Sequence, residues 1–504
     1  MQRIVHLDLK GAPPKVEYLE KVLLCIKSWG ATGVLLEWED TFPYTMELVD
    51  IGSQGGSGGD GVYLQDEVSH IFHFAKQHGL KAIQLIQTIG HMEFVLKHPK
   101  YQRLREARES PAVLCPSKPE SKALVRAMLE QALKAQPDAE YIHIGADEVW
   151  HLGVCPDCQT KTGGNEHKTA ALYLDHIQDI CIFLRRKRPN ITILMWDDML
   201  RNISIDVLKQ YELSDLVQPV IWDYNSKEFF QINPSLWENY RQLFCKVWAG
   251  SAFKGANGSC QILSPVNRYV SNHEAWIQEV RKYPQTSFAG IILTGWSRYD
   301  HYAALCELLP VSLPSLASCL KLLTKSEATP NESESSEIWD PYLQSKLSLR
   351  KRKKRHVVGE YGEAVVCESL PSLDWPGEQV ARGVHTFVLL RERAFAFIHG
   401  DLVTTWLNTW QIENSYTNPV QVEGIAVAAR QLMGEFVALQ SELTPHLNAV
   451  TGRRSSEEWL KTFVLPLMNK ISDLLKVAEA RSKAEPSISP LNTLFLWNKY
   501  WNVQ

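Results

Sequence analysis

The chain has 504 residues, 45% of them apolar, so it is long enough to bury the core of one large domain and a smaller one. Its 53 basic and 57 acidic side chains give a formal net charge of −4, which argues against nucleic acid or another polyanion as a partner. No apolar run approaches the length of about 18 residues that a membrane span requires, and the N-terminal residues MQRIVHLDLKG lack the apolar stretch of a signal peptide. We therefore expect neither a membrane partner nor secretion.

Short β-rich runs alternate with helix-periodic segments from residue 3 to about residue 325, which is typical of a parallel sheet with crossover helices. We predict eight strands, at residues 4–9, 33–38, 82–87, 141–145, 192–196, 217–222, 245–248 and 290–294. Between them apolar residues recur at spacings of three and four, as in Leu19, Val22, Leu23 and Ile26, which predicts helices with one buried face. Eight such units favour a closed (β/α)8 TIM barrel, of class α/β, over an open doubly wound sheet.

A polar and charged segment at residues 326–356 predicts a linker between a catalytic barrel of residues 1–325 and a mainly helical C-terminal region of residues 357–504. The basic run RKRKKR at 350–355 is typical of a solvated loop and also fits a nuclear-import signal, so we expect a cytoplasmic protein, with the nucleus as a second location. The C-terminal region carries no catalytic motif. We interpret it as a surface that packs against the barrel or against a second subunit of a homodimer.

Ten cysteines are scattered along the chain, which is the usage of an intracellular protein and not of a disulfide-stapled domain. One close pair, Cys155 and Cys158, follows His151 and has the spacing of metal ligands. No second pair completes a tetrahedral set, so the sequence leaves open whether this pair binds a metal. We predict no metal in the active site and no cofactor.

Polar residues at the carboxyl ends of the predicted strands are informative because the active site of a parallel barrel lies there. These ends carry charged residues: Asp8, Lys10, Glu39, Asp40, His91, Asp147, Glu148, Asp197 and Asp198. Indole side chains close the last four units, as Trp196, Trp222, Trp248 and Trp296, and Tyr224 lies beside one of them. Sugars stack their C–H faces on indole rings and need polar partners for their hydroxyls. The pattern predicts a pocket for a small glycoside or glycoconjugate.

Asp147 and Glu148 are adjacent in sequence, and adjacent side chains of a regular strand point to opposite faces. They can serve one site only where the strand ends, and Gly145 supplies the residue that lets the backbone turn there. Two carboxylates so close repel each other, which raises the pKa of one of them. We therefore expect a protonated donor beside an ionised partner.

Three segments carry a resemblance to glycoside hydrolase family 20: HIGADEV at 143–149, EDTFPY at 39–44, and the pair Gly90-His91. The resemblance covers the barrel, roughly residues 3–325. It implies a retaining β-N-acetylhexosaminidase that removes terminal, non-reducing β-linked N-acetylglucosamine or N-acetylgalactosamine. In this family the nucleophile is the oxygen of the substrate's own 2-acetamido group, which forms an oxazolinium intermediate.

The resemblance also implies roles for the acidic residues. Glu148 would protonate the leaving oxygen and later deprotonate water, and Asp147 would hold the acetamido N–H and stabilise the cation. His91 would hydrogen-bond Glu148, with Glu39 or Asp40 orienting its imidazole ring.

The sugar-binding residues follow in the same way. Tyr224 is the candidate that binds the acetamido carbonyl, and the candidate walls are Trp196, Trp222, Trp248 and Trp296. The family places an arginine after the first strand to hold sugar hydroxyls, whereas this chain has Asp8 and Lys10 there. Lysine cannot form the bidentate fork of arginine.

Two other classes fit the same residue types. One is a divalent-metal-dependent barrel lyase or isomerase that uses the carboxylates of Asp147, Glu148, Asp197 and Asp198 as ligands. The other is a non-catalytic sugar-binding barrel.

Overall fold

A computed structural model describes residues 1–53, 59–327 and 375–483 of the chain. Eight parallel strands close into a barrel in chain order, and this confirms the predicted (β/α)8 fold. The strands are β1 (Gln2–Asp8), β2 (Gly33–Glu37), β3 (Lys81–Leu85), β4 (Tyr141–His143), β5 (Thr192–Trp196), β6 (Val217–Trp222), β7 (Val247–Lys254) and β8 (Phe288–Gly295). Ile4 of β1 pairs with Gly33 of β2 and with Ile292 of β8, which closes the ring.

Helices cover the outside of the barrel. They are α1 (Val16–Ser28), α2 (Gln65–Gln77), α3 (Glu93–Leu96), α4 (Pro119–Ala135), α5 (Pro156–Thr162), α6 (Glu166–Lys187), α7 (Ile205–Gln210), α8 (Pro234–Leu243), α9 (Val266–Lys282) and α10 (Leu309–Glu327). Single 3-10 turns lie at Glu39–Thr41, Met46–Ile51, Pro99–Leu104 and Leu213–Asp215. In α1 the predicted apolar stripe of Leu19, Val22, Leu23 and Ile26 is buried, because an apolar face at this spacing packs against the sheet.

The barrel interior is filled by apolar side chains from the strands: Ile4, Leu35, Ile83, Leu85, Leu194, Trp196, Val220, Trp248 and Ile292. At β4 the regular strand is shorter than predicted, since the chain leaves it after His143. At β7 it is longer, because the segment from Ala249 to Lys254 is wholly buried and continues to pair with β8. Both differences fall at the carboxyl ends, where the barrel builds its site.

The C-terminal helices are α11 (Glu378–Ile398), α12 (Asp401–Trp406), α13 (Thr409–Glu413), α14 (Pro419–Trp459) and α15 (Leu465–Ser482), with a π-helical turn at Leu460–Val464. The long helix α14 is broken at Gly452, which adopts φ 79°. A separate apolar cluster joins α12, α14 and α15 through Val403, Leu407, Val422, Ile425, Ala426 and Ala478. The described part of the C-terminal region, residues 375–483, is therefore mainly helical, as predicted.

The described residues divide into two compact units, one made of residues 1–53, 59–327, 375–378 and 449–455 and the other of residues 379–448 and 456–483. Most of the predicted linker, including the basic run at 350–355, lies outside the described residues, and the predicted domain limits stay predictions. Within the described part of the chain, none of the helices combines the length and the apolar character needed to cross a bilayer.

Candidate active site

A cavity of about 440 Å³ opens at the carboxyl ends of the strands, a volume within the range of about 300–1,000 Å³ that is usual for small-molecule sites. Its lining residues are Lys10, Glu37, His91, Asp147, Glu148, Trp222, Tyr224, Gly255, Ala256, Gly258, Ser259, Trp296, Arg298 and Tyr299. They end or follow strands on most of the ring. The cavity is thus the mouth of the barrel, where the predicted site residues were expected to meet.

The chain leaves β4 through a turn with left-handed backbone at Gly145 (φ 63°), Ala146 (φ 72°) and Glu148 (φ 47°). A Cβ at Gly145 would lie 1.9 Å from Gln87 Oε1, so glycine is required both for the conformation and for the space. The Ala146 N–H donates to that same Gln87 oxygen (3.3 Å), and the Tyr173 hydroxyl donates to the Ala146 carbonyl (2.8 Å). These bonds hold non-glycine backbone that costs roughly 1–2 kcal/mol per residue.

This turn directs Asp147 and Glu148 into the same cavity. His91 Nε2 lies 3.3 Å from Asp147 Oδ2 and 3.5 Å from Glu148 Oε2. Gln87 Nε2 donates to Asp147 Oδ1 at 3.3 Å. The Asp147 side chain is 10% exposed and that of Glu148 is 28% exposed, so the aspartate is the more enclosed of the two and the glutamate faces the open side.

His91 reaches both carboxylates because the loop after β3 passes very close to the β4 turn. A Cβ at Gly90 would lie 2.1 Å from the Asp147 carbonyl oxygen, so a larger residue would push the two loops apart. Burial by itself would lower the pKa of His91, but the charge of Asp147 and hydrogen bonds with both carboxylates raise it well above its usual value. The two carboxylates therefore favour the imidazolium form of His91.

The residues expected to orient His91 contact another histidine instead. Glu39 Oε2 hydrogen-bonds His301 Nε2, and Asp40 Oδ2 lies 3.9 Å from His301 Nδ1. The expectation was wrong because the 3-10 turn after β2 directs Glu39 and Asp40 towards the loop after β8. Burial lowers the pKa of His301 to about 4 and raises that of Glu39 well above its usual value.

Lys10 places a fixed positive charge on the cavity wall. Its Nζ lies 3.2 Å from Asp8 Oδ2 and 3.7 Å from Glu39 Oε1, and 5.2 Å from the ring centroid of Trp296. Burial would lower the pKa of Lys10, but Asp8, Glu39 and Glu37 together raise it well above its usual value. Asp8 does not line the cavity and acts through the ammonium group. Its Oδ2 also accepts the Ser297 N–H (2.8 Å), and its Oδ1 accepts the Lys10 backbone N–H (3.0 Å).

Asp198 joins the acid pair to an aromatic wall. Its Oδ2 accepts the Glu148 backbone N–H at 2.9 Å, and its Oδ1 accepts the Trp222 indole N–H at 3.3 Å. The rings of Trp222 and Tyr224 stack with centroids 5.1 Å apart and planes inclined by 21°. Burial, with the charge of Asp147, raises the pKa of Asp198 to about 7.

Only some of the predicted aromatic walls face the cavity. Trp222, Trp296 and Tyr224 line it. Trp196 and Trp248, contrary to expectation, lie in the barrel core. Trp196 packs on the ring of Trp296 from below (centroids 6.0 Å apart), while the Trp248 indole donates to a glutamine of β6 at 2.8 Å. Their strand positions point into the barrel at levels where the neighbouring strands still enclose them.

Several lining residues were not predicted. Glu37 ends β2, pairs with buried His6 at 2.8 Å and accepts from Gln87 at 3.1 Å. Burial would raise the pKa of Glu37, but Lys10 and His6 hold it well below its usual range, so it is anionic. The signal in the sequence is that Glu37, like Glu39, is a carboxylate at the end of a predicted strand.

Arg298 and the segment after β7 were also missed. The Arg298 guanidinium donates to the carbonyls of Lys10 (3.2 Å) and Ala303 (2.9 Å), which ties the loop after β8 to the loop after β1. Gly258 and Ser259 also line the cavity. They were missed because the predicted seventh strand ended six residues too early, at residue 248 instead of Lys254, which hid the loop that follows it.

Two of the carboxylates proposed as ligands of a catalytic metal, those of Asp197 and Asp198, form other contacts. Asp197 forms a bidentate pair with Arg201, with both N···O distances 2.7 Å, and its side chain is fully buried. Asp198 accepts its two N–H bonds from Glu148 and Trp222. A divalent ion would have to displace the arginine from Asp197, and this arrangement disfavours the metal-dependent lyase or isomerase.

The chain is similar to known proteins along most of its length. Residues 38–234 match the model of the glycosyl hydrolase family 20 catalytic domain. Hexosaminidase D of Homo sapiens is 37% identical over 492 residues, covering 97% of this chain and 96% of the relative. Hexosaminidase D of Bos taurus is 43% identical over 330 residues, covering 65% of this chain and 94% of the relative.

The fold has a counterpart among solved structures. A β-N-acetylhexosaminidase from Bacteroides fragilis superposes with a TM-score of 0.50 at 16% identity, covering 70% of this chain and 71% of that one. At that identity the likeness concerns the fold alone. The family model and the identity over nearly the whole chain together establish that this chain belongs to glycosyl hydrolase family 20.

Proposed function

We propose that this chain is a β-N-acetylhexosaminidase that removes terminal, non-reducing N-acetylglucosamine or N-acetylgalactosamine from β-linked glycosides. The relatives named Hexosaminidase D and the family 20 match support this activity. The observation that carries the assignment of residues is the meeting of Asp147, Glu148 and His91 in one cavity, with His91 within 3.5 Å of both carboxylates.

The two carboxylates divide the work of a retaining, substrate-assisted reaction. Glu148, the more exposed of the two, protonates the glycosidic oxygen as the bond breaks and takes the proton from water in the second half-reaction. Asp147, more enclosed, accepts the acetamido N–H and stabilises the positive charge that develops as the acetamido oxygen attacks the anomeric carbon. A preorganised charge in such a site contributes about 3–4 kcal/mol to transition-state stabilisation.

The imidazolium of His91 faces both carboxylates. Its Nε2 lies 3.3 Å from Asp147 Oδ2, next to the negative charge that the mechanism requires on that residue. The same cation lies 3.5 Å from Glu148 Oε2, where it is placed to stabilise the carboxylate that forms after proton transfer. His91 therefore acts on the reaction through both carboxylates.

The sugar is held by aromatic faces and by charged groups opposite the acid pair. Trp222, Trp296 and Tyr224 supply the faces, and the Tyr224 hydroxyl binds the acetamido carbonyl. Lys10 takes the place of an arginine as the hydroxyl-binding cation, and as a point charge it directs its donors without the fixed fork of a guanidinium. Anionic Glu37 accepts from a further hydroxyl.

The test compares purified wild type with Glu148→Gln and Asp147→Asn on aryl β-N-acetylglucosaminide and galactosaminide. Both substitutions keep the shape and remove the ionisable group, so each is expected to lower kcat by at least about a hundredfold. An aryl β-glucoside, which lacks the acetamido nucleophile, is expected to be inert with the wild type.

Asp215→Asn is a matched control. Asp215 lies in the 3-10 turn before β6 and does not line the cavity, so activity should be unchanged. Equal cleavage of the aryl glucoside would contradict the nucleophile assignment. A wild type that binds N-acetylhexosamines and turns none over would favour the non-catalytic sugar-binding barrel.

We also propose a cytoplasmic or nuclear location and a homodimer formed through the helical C-terminal region. The scattered cysteines and the basic run at 350–355 support the location. Fluorescent fusions of the full chain, with and without the basic run, test the location, and light scattering of the purified chain tests the dimer.

A further inference from the structure

Three cysteines and a glutamate converge away from the sugar site. Cys115 Sγ lies 3.3 Å from Cys155 Sγ and 3.6 Å from Cys158 Sγ, and Glu106 Oε2 lies 3.2 Å from Cys158 Sγ. All four ligand atoms lie within 4.8 Å of one another, and all four residues are buried. We propose that this cluster is a structural zinc site, with the three thiolates and the Glu106 carboxylate as its ligands.

The spacing of the atoms fits a tetrahedral ion. Zinc binds sulfur at about 2.3 Å, which places two sulfurs of a tetrahedron about 3.8 Å apart. The separations of 3.3 and 3.6 Å between Cys115 Sγ and the other two sulfurs are a few tenths of an ångström shorter. These two separations therefore need to widen only slightly for the ion to enter. The pair predicted from sequence spacing, Cys155 and Cys158, supplies half of the set.

Buried cysteines are common in cores, and Glu106 is what separates this cluster from core packing. Its side chain is buried, and within the described residues the structure gives it no ion pair. Its Oε1 accepts the N–H groups of Val154 (2.7 Å) and Cys155 (3.1 Å), which leaves Oε2 aimed at the sulfurs. A buried carboxylate among thiols is costly without a cation, and a divalent metal supplies one.

Groups around the cluster match those that surround zinc thiolates. The Cys158 backbone N–H points at Cys155 Sγ (3.4 Å), and the Ser117 hydroxyl lies 3.0 Å from Cys158 Sγ. Such hydrogen bonds orient the ligands and disperse their charge. Three thiolates and one carboxylate around Zn²⁺ carry a formal net charge of about −2, the same as an ordinary four-cysteine zinc site.

The position of the cluster assigns its role. Cys115 belongs to the segment after β3, and Cys155 and Cys158 to the segment after β4. The first segment also carries His91. The backbone on both sides of His91 is hydrogen-bonded to residues 112–114, for example from the Met92 N–H to the Ala112 carbonyl (2.9 Å). The ion would therefore link the loop that carries His91 to the loop that carries Asp147 and Glu148, without contacting the substrate.

The experiment measures metal in the purified full-length chain by plasma mass spectrometry, after gel filtration under reducing conditions without chelator. We expect about one zinc per wild-type chain, as for other structural sites. Cys155→Ser and Cys158→Ser should lose it, and Glu106→Gln should bind it at least about tenfold more weakly. Cys319→Ser, a buried thiol of α10 outside the cluster, is the matched control and should keep the full zinc content.

A second measurement does not depend on the folding of the variants. Wild type stripped with a chelator and reloaded with Co²⁺ should take up one equivalent and show thiolate-to-cobalt charge-transfer bands with tetrahedral d–d bands. Removal of zinc should also lower the melting temperature, because a metal that binds only the folded chain stabilises it.

Three results would each overturn the proposal: a wild type with neither zinc nor a cobalt–thiolate spectrum, a zinc content equal in the cluster variants and in Cys319→Ser, or a Cys115–Cys155 disulfide in freshly purified protein. Metal content is read without any substrate. Failure here therefore leaves the proposed hydrolase activity standing, and loss of that activity assignment leaves the zinc site standing.

Discussion

Gly145→Ala tests the claim that the backbone after β4 builds the active site. At φ 63° an alanine costs about 1–2 kcal/mol of backbone strain. Its Cβ would also fall 1.9 Å from Gln87 Oε1, which forces Gln87 away from the Ala146 N–H, Asp147 Oδ1 and Glu37 Oε1. Weakening these bonds adds about 2–4 kcal/mol. The expected loss of unfolding free energy is about 3–6 kcal/mol in total.

The matched control is Gly163→Ala. Gly163 ends α5 with φ 58°, but nothing lies within 4 Å of a Cβ there. Only the strain of about 1–2 kcal/mol should appear. Urea unfolding gives both free energies, and the difference between the variants isolates the Gln87 contacts.

Activity should separate the two variants as well. With Gln87 displaced, Asp147 loses a positioning bond, and kcat of the Gly145 variant should fall at least about tenfold. The Gly163 variant should keep the wild-type kcat. Equal stability and equal kcat in both alanine variants would refute the reasoning that Gln87 and Gly145 together place the carboxylates.

Two further predictions concern Asp198 and the tryptophans. The pKa of Asp198 is about 7 in the folded chain and about 3.9 in the unfolded chain. Its contribution to the free energy of unfolding is therefore complete below about pH 4 and is lost as the pH rises through 7. The loss amounts to at most about 4 kcal/mol. Urea unfolding of Asp198→Asn from pH 4 to 8 should show a flatter profile than wild type, and an equally steep one would contradict this. Trp222→Phe should raise KM with little loss of stability, because Trp222 lines the cavity. Trp248→Phe should instead lower the free energy of unfolding by about 1–3 kcal/mol and leave KM unchanged, because Trp248 lies in the core. The opposite pattern in steady-state kinetics and urea unfolding would show that the walls are assigned wrongly.

The barrel followed from local signals. Apolar runs of strand length and helices with one apolar face repeat eight times, and each signal lies within a few consecutive residues. Once the strands are known, the rule that carboxyl ends meet at one rim is enough to bring Asp147, Glu148 and His91 together. The prediction that Asp147 and Glu148 face one cavity rested on their adjacency in the sequence and on the glycine at the strand end.

Contacts between loops could not be predicted from local sequence signals. The partner of Glu39 is His301, 262 residues away, and no periodicity connects the two positions. The contributions of Arg298 and Ser259 depend on where long loops fold over the rim. Loop paths are set by packing against other loops, and a single sequence carries no local record of that packing.

What this sequence determined by itself is the fold class, the rim and the acid pair, because each depends on residues close together in the chain or on a general rule of parallel barrels. Only the tertiary structure decided which tryptophans line the cavity and which fill the core. Trp196 and Trp222 both end a strand and differ in how far the neighbouring strands enclose them, whereas Trp248 lies six residues before the end of β7. It also brought Glu106 and Cys115 to Cys155 and Cys158. Residues about 40 to 50 positions apart meet there because two loops pack side by side, and that packing depends on the whole barrel.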